Sequence, residues 1–143
     1  REIIFLWAQR EFRNLMLARE AGVRVPTPIV QFTNILVMEF IGTDTAASKL
    51  KDLHPSNPQE FFDDIVKNMR KLYKAKLVHA DLSAFNILNH NDKPVFIDMS
   101  QTTSLEDINA ESYLKRDIHN ICVFFKKLKL KVDEEKVLEE IKK

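Results

Sequence analysis

At 143 residues, with 45% hydrophobic and 30% charged side chains, the chain is long enough for one domain with a buried core and has a globular composition. A net charge of +1 gives no overall pull toward nucleic acid or membrane, and the wholly apolar stretches fall far short of the ~18 residues that a membrane span needs. One cysteine excludes an intrachain disulfide and fits a reducing, cytoplasmic compartment. Only two glycines are present, Gly22 and Gly42, where usage of ~7% would give about ten, so no glycine-rich phosphate loop fits within these residues.

Arg1 to Ala21 is predicted as a helix closed by Gly22 at its C′ position. Ile4, Ala8, Glu11, Leu15 and Ala18 share one face, which places a carboxylate in an apolar stripe. Two readings stay open for Glu11: a partly buried stripe from which it reaches water, or an ion-pair partner supplied by a segment preceding Arg1. The chain opens on an arginine inside a helical pattern and reads as a piece of a longer protein.

Arg24–Phe32 and Ile35–Ile41 are β-prone and flank Thr33-Asn34, which predicts a hairpin whose first arm carries Pro26 and Pro28. Gly42-Thr43-Asp44 interrupts the pattern. We therefore divide the chain into a small α/β piece (1–42) and a mainly helical remainder (43–143), with an inter-element turn or an adenine-contacting junction between them. Ala46–Leu53 reads as a short helix. Asn57-Pro58-Gln59-Glu60 is a helix start with a cap, proline at the first position and glutamate at the third. The helix it opens buries Phe61, Phe62, Ile65, Met69, Leu72 and Tyr73. Further on, Ser104 can cap a turn, Arg116–Leu128 reads as a helix with Ile118, Ile121, Cys122 and Phe125 inward, and Asp133 can cap a last amphipathic helix. Lys126, Lys127, Lys129 and Lys131 form a basic run, read as a solvated face, with RNA contact as the lesser alternative.

The chemistry concentrates in Leu77–Gln101. His79-Ala80-Asp81 follows a short apolar entry, Asn86 comes five residues after Asp81, and Val95-Phe96-Ile97 leads into Asp98. Strands on either side of the Asn89–Asp92 turn can pair and bring Asp98 beside Asn86. Two carboxylates and a carboxamide suit magnesium-assisted phosphoryl transfer, because Mg²⁺ takes oxygen ligands and keeps several waters, leaving one carboxylate to orient a nucleophile. Each residue also has a plainer role: His79 in packing and hydrogen bonding, Asp81 and Asn86 in a turn, Asp98 as a cap. The spacing favours the chemical reading for the last three and a structural role for His79.

HADLSAFNIL followed by VFIDMSQ resembles the catalytic and metal-binding loops of the RIO family of atypical protein kinases, and the Ile-Asp-x-Ser-Gln form resembles its Rio-one branch. The likeness extends to WAQREFRNL, VPTPI, ILVMEFIG and YLKRDIHNICVFF, and so covers most of the chain. It implies an α+β, protein-kinase-like fold: mainly the helical C-lobe, with a partial N-lobe of one helix and a β-hairpin. It implies Asp81 as catalytic aspartate, Asn86 and Asp98 as ligands of Mg²⁺ or Mn²⁺, and Glu11 as partner of a nucleotide-binding lysine. Met38, Glu39, Phe40 and Ile41 would form the adenine hinge, Ser83 would stand where ordinary kinases place a phosphate-contacting lysine, and Asp117 would brace the catalytic loop with His79. ATP, a protein substrate, the pre-ribosomal small subunit and a kinase or ATPase output are further implications. The phosphate loop and the lysine are expected upstream, which leaves residues 1–143 inactive or nearly so alone. Two rival readings are a small-molecule kinase of the aminoglycoside or choline type and a non-catalytic, nucleotide-binding assembly factor.

Overall fold

The computed structural model describes residues 2–143, with side chains from Leu6 onward, so the predicted position of Ile4 in the apolar stripe lies outside the described side chains. Helix α1 (Glu2–Glu20) ends as its glycine dictates. Gly22 takes φ +86°, its N–H donates to Arg19 O at 2.9 Å, and the Val23 N–H donates to Ala18 O at 3.0 Å, which together satisfy the last carbonyls in a Schellman pattern. Ala8, Leu15 and Ala18 are buried along the predicted face, and Glu11 is buried with them at 4% exposure. The reading in which Glu11 reaches water is therefore not realised.

Strands β1 (Pro28–Phe32) and β2 (Ile35–Met38) form the expected hairpin, with an irregularity between Pro28 and Val30. Most of its apolar side chains are exposed, among them Ile29, Val30, Phe32, Ile35 and Val37. Gly42 closes the piece. At φ +153° a Cβ there would sit 2.2 Å from the Thr45 carbonyl oxygen, so this bend requires glycine.

The predicted helix over Ala46–Leu53 is not formed. Ser48–Lys49 is instead a short strand, β3, paired antiparallel with Asn89 and Leu88, and the chain then turns at Lys49–Leu53. Fully buried Leu50 donates its N–H to Ile87 O at 2.8 Å and Lys51 donates to Ala84 O at 3.1 Å. A segment of eight residues has too few internal bonds to hold as a helix against such partners.

Helix α2 (Pro58–Lys74) starts as predicted, with Asn57 Oδ1 accepting the Glu60 N–H at 3.1 Å and Pro58 in the first turn. Strand β4 (Leu77–Val78) pairs with β7 (Thr103–Ser104), and β5 (Ile87–His90) pairs with both β3 and β6 (Lys93–Phe96). Asn91 and Asp92, at φ +53° and +65°, supply the two left-handed positions that a tight hairpin needs. Helix α3 (Ala110–Lys127) begins six residues before the predicted Arg116, because Ala110 and Leu114 extend the same buried face as Ile118, Ile121, Cys122 and Phe125. Helix α4 (Glu134–Lys142) is capped by Asp133, whose Oδ1 accepts the Glu135 N–H at 3.0 Å. The core lies between α2, α3 and α4, with the Phe62 and Phe125 rings 5.3 Å apart. Cys122 is fully buried in it, and burial pushes its thiol up to about 11, as suits a packing residue.

Candidate active site

The loop between β4 and β5 is shaped by side chains rather than by regular structure. Ala80 sits at φ +73°, a left-handed conformation unfavourable for a residue with a Cβ. Neighbouring residues of α3 hold it there. The Asp117 carboxylate accepts the Ala80 N–H at 2.9 Å and the Leu82 N–H at 3.0 Å, and the Arg116 guanidinium donates to the Ala80 carbonyl. Asp117 is 1% exposed; burial pushes its carboxyl up to about 7, and the two N–H donors oppose that rise. Its two hydrogen bonds join α3 to the loop between β4 and β5. Arg116 shares the work, and the sequence reading missed it.

His79 is also structural. Its Nδ1 accepts the Asp81 N–H at 3.1 Å, so Nε2 carries the ring proton and donates to Ile97 O at 2.9 Å. Both nitrogens are committed, and burial holds the imidazole below its ordinary pKa. The ring ties Asp81 to the strand end that presents Asp98.

Asn86 donates its amide N–H groups to the Asp81 carbonyl at 2.7 Å and to Asp81 Oδ2 at 3.2 Å. That choice leaves Asn86 Oδ1 as the oxygen available to a cation, and Asp81 Oδ1 as the oxygen available to an acceptor. The β5–β6 ladder continues one step past its ends, where the Ile97 N–H donates to Asn86 O at 3.0 Å and places Asp98 next to Asn86. Asp98 takes φ +55°, and its Oδ1 accepts the Ser100 hydroxyl at 2.9 Å. Two anionic or carbonyl oxygens on adjacent strand ends, each aimed by a hydrogen bond to its neighbour, fit a hard divalent cation that keeps waters. Ser83 lies in the turn between Asp81 and Asn86, where its hydroxyl accepts the Phe85 N–H at 3.1 Å. It does not line the cleft described next.

A cleft of about 570 Å³ is bounded by Met38, Phe40, Ile41, Leu88 and Ile97 on its apolar side, and by Glu11, Asp98 and Ser100 at the other end. The structure thus brings Glu11, Met38–Ile41 and Asp98 around one space. Among the described residues, Glu11 Oε2 is buried without a hydrogen-bond partner. Burial, and then the charge of Asp98, push its carboxyl up to about 7, with the Met99 backbone N–H opposing. Asn14, one turn further along α1 and also unread in the sequence, donates to Met99 O at 2.8 Å and Thr102 O at 3.2 Å, so α1 is joined to the segment after Asp98. Its signal was present: Asn14 stands three residues from Glu11, beside the apolar face.

The Met38–Ile41 segment is held by side chains as well. Arg24 meets both Glu39 carboxylate oxygens, at 2.9 and 3.0 Å, and the Thr27 N–H and hydroxyl each donate to Glu39 Oε1 at 3.0 Å. These contacts, the Arg24 guanidinium first, hold the Glu39 carboxyl down at about 2. The Glu39 N–H is taken by Thr27 O and the Ile41 carbonyl by the Ala47 N–H, while the Glu39 carbonyl and the Ile41 N–H have no backbone partner among the described residues. A larger hollow, about 730 Å³, lies between α2 and the α3–α4 segment and includes Lys126 and Lys131 of the basic run; no residue of the Asp81 or Asp98 loops lines it.

The RIO domain family model matches residues 1–137. The chain is 40% identical over 143 residues to the RIO-type serine/threonine-protein kinase Rio1 of Thermoplasma acidophilum, covering 99% of this chain and 75% of that protein. It is 40% identical over 127 residues to the protein of that name from Haloferax volcanii, covering 88% of this chain but only 44% of the relative. Among solved structures, the Rio2 kinase–ADP/Mg²⁺–phosphoaspartate complex of Chaetomium thermophilum superposes with a TM-score of 0.80 at 27% identity, over 97% of this chain and 45% of that one. The fold is therefore protein-kinase-like, as expected, and the chain belongs to the RIO family.

Proposed function

We propose that the protein is an ATP- and magnesium-dependent phosphotransferase acting on Ser or Thr hydroxyls of a protein substrate, with these residues providing one side of its active site. The observation that carries this reading is the arrangement at Asp81: Asn86 fixes one carboxylate oxygen through its amide and leaves the other to an acceptor. The named relatives, and the ADP and Mg²⁺ in the Chaetomium neighbour, support it.

Asn86 Oδ1 and Asp98 would hold the metal, which when bound neutralises charge on the phosphate oxygens. Asp81 orients the acceptor hydroxyl. As the acceptor oxygen bonds to the γ-phosphorus, the bond from that phosphorus to the β,γ-bridging oxygen breaks, ADP leaves, and Asp81 takes the hydroxyl proton. The Glu39 carbonyl and Ile41 N–H meet the adenine edge between Met38 and Phe40. Ser83, outside the cleft, is given no phosphate contact, and Glu11 is open to a cation, its buried Oε2 having no partner among the described residues. The phosphoaspartate in the neighbour's complex favours a second output, in which an aspartate receives the phosphoryl group and water then removes it. A cytoplasmic role in small-subunit maturation follows from the family resemblance.

The test uses the full-length protein. Asp98→Ala is expected to abolish Mg²⁺-dependent nucleotide binding measured by calorimetry, and Asp81→Asn to keep binding while losing at least about 100-fold in ADP release. Unchanged turnover in Asp81→Asn overturns the assignment.

A further inference from the structure

A second hollow, about 560 Å³, opens against Asp81 and shares only Ser100 with the nucleotide cleft. Asp81 lines this hollow and not the other, so the group that orients the acceptor hydroxyl faces a space separate from the nucleotide. Its charged residues are Arg10, Arg116, Asp81 and Asp107.

The two carboxylates and the two guanidiniums are not equally available. Asp107 is committed to its own loop, accepting the Asn109 N–H at 2.7 Å and the Thr103 hydroxyl at 3.4 Å. Asp81 is reserved for the hydroxyl. Arg116 uses one donor on the Ala80 carbonyl and lies 5.2 Å from the Tyr113 ring centroid, which fixes its planar head while leaving further N–H groups uncommitted. Arg10 is exposed and makes no ion pair among the described residues. Guanidinium pairs with carboxylate or phosphate oxygens in a planar, two-bond geometry, and two such groups in one polar hollow disfavour a cationic occupant.

We propose that this hollow is the acceptor site, and that Arg10 and Arg116 select a polypeptide carrying an acidic or phosphorylated side chain within a few residues of the hydroxyl that is phosphorylated. The assignment rests on Asp81 orienting that hydroxyl. Arg10 immediately precedes Glu11 on α1, so one helix would read the acceptor's charge with one residue and face the nucleotide with the next.

Fluorescently labelled serine peptides differing only at one position near the serine (Glu, phosphoserine, Gln or Lys) are titrated with the full-length protein at about 0.1 M salt, with anisotropy as readout. The Glu and phosphoserine peptides are expected to bind roughly tenfold or more tightly than the Gln peptide, and the Lys peptide more weakly still. A stronger response to phosphoserine alone identifies a prior phosphorylation as the source of the anion; equal gains identify plain acidity. Arg10→Glu is expected to collapse or invert the ranking. Equal affinity for Glu and Gln peptides, or a ranking untouched by Arg10→Glu, overturns the proposal. ADP release measured on the same preparations is separate: its absence defeats the phosphotransferase reading, whereas peptide affinity alone decides the acceptor assignment.

Discussion

Glu11→Gln in the 143-residue chain is the sharpest test of how the 570 Å³ cleft is built. Glu11 is 4% exposed, one of its oxygens has no partner among the described residues, and its carboxyl is raised from 4.5 to about 7. A rise of this size corresponds to about 3 kcal/mol of preference for the neutral form. The sign follows from proton binding. Below pH ~4.5 both folded and unfolded chains carry the proton, and no penalty arises. As pH climbs toward 7 the unfolded chain releases its proton first, so the native state loses stability over that window, and the loss is complete once the folded carboxyl also ionises. Gln stays neutral throughout but leaves its own amide imperfectly bonded, a cost of ~1 kcal/mol. The variant should match or slightly trail wild type at pH 4.5 and exceed it by ~1–3 kcal/mol at pH 8. Urea unfolding followed by circular dichroism at both pH values measures this. The difference between the two proteins is the quantity to use, because Asp117 loses stability over a similar window. A variant no more stable than wild type at pH 8 would refute a buried, uncompensated Glu11. In a full-length protein that supplies a cation to this carboxylate the sign reverses, and Glu11→Gln destabilises.

Asp117→Ala removes the acceptor for two buried N–H groups and releases Ala80 from its left-handed conformation; a loss of about 2–4 kcal/mol is expected in chemical denaturation, with Asp117→Asn intermediate because one acceptor oxygen remains. Asn57→Ala takes the cap from α2 and should cost about 1 kcal/mol, read as a lower unfolding midpoint with unchanged denaturant slope. A double-mutant cycle on Arg24 and Glu39 should give a coupling near ~1 kcal/mol after allowance for solvent screening of this half-exposed pair. Because the Glu39 carboxyl is held at about 2, the coupling should persist at pH 4 and fade as pH falls through that value; a coupling already gone at pH 4 contradicts the geometry.

What the sequence shows and what it conceals follows contact distance along the chain. The Gly22 stop, the Asn57 cap and the Asn91-Asp92 turn are decided within a few residues, and they form as the local chemistry says. The juxtaposition of Asn86 and Asp98 was legible because one hairpin joins them, and Asp81 meets Asn86 across a turn of five residues, so a short stretch of pattern contains their geometry. The strand at Ser48–Lys49 was misread because its partners lie some forty residues later, in β5, and propensity over eight residues says nothing of them. The same applies to Asn14, whose acceptors are 85 and 88 residues away, and to Arg116, which reaches back 36 residues to Ala80. Glu39 was read for its backbone alone; its side chain's grip on Arg24 and Thr27 needed the hairpin to exist first.

The link from Asn14 to the Met99 and Thr102 carbonyls bears on regulation. Many phosphotransferases are switched by swinging the helix that carries their glutamate away from the metal loop. Here such a swing would break two hydrogen bonds of a 3%-exposed amide and strip acceptors of their donor, at a cost of roughly 1–3 kcal/mol for each group left unpaired. With helix and loop moving as one piece, an off state made by helix rotation is disfavoured. For the proposed phosphotransferase, control would then fall to whatever enters or blocks the two hollows on either side of that joint.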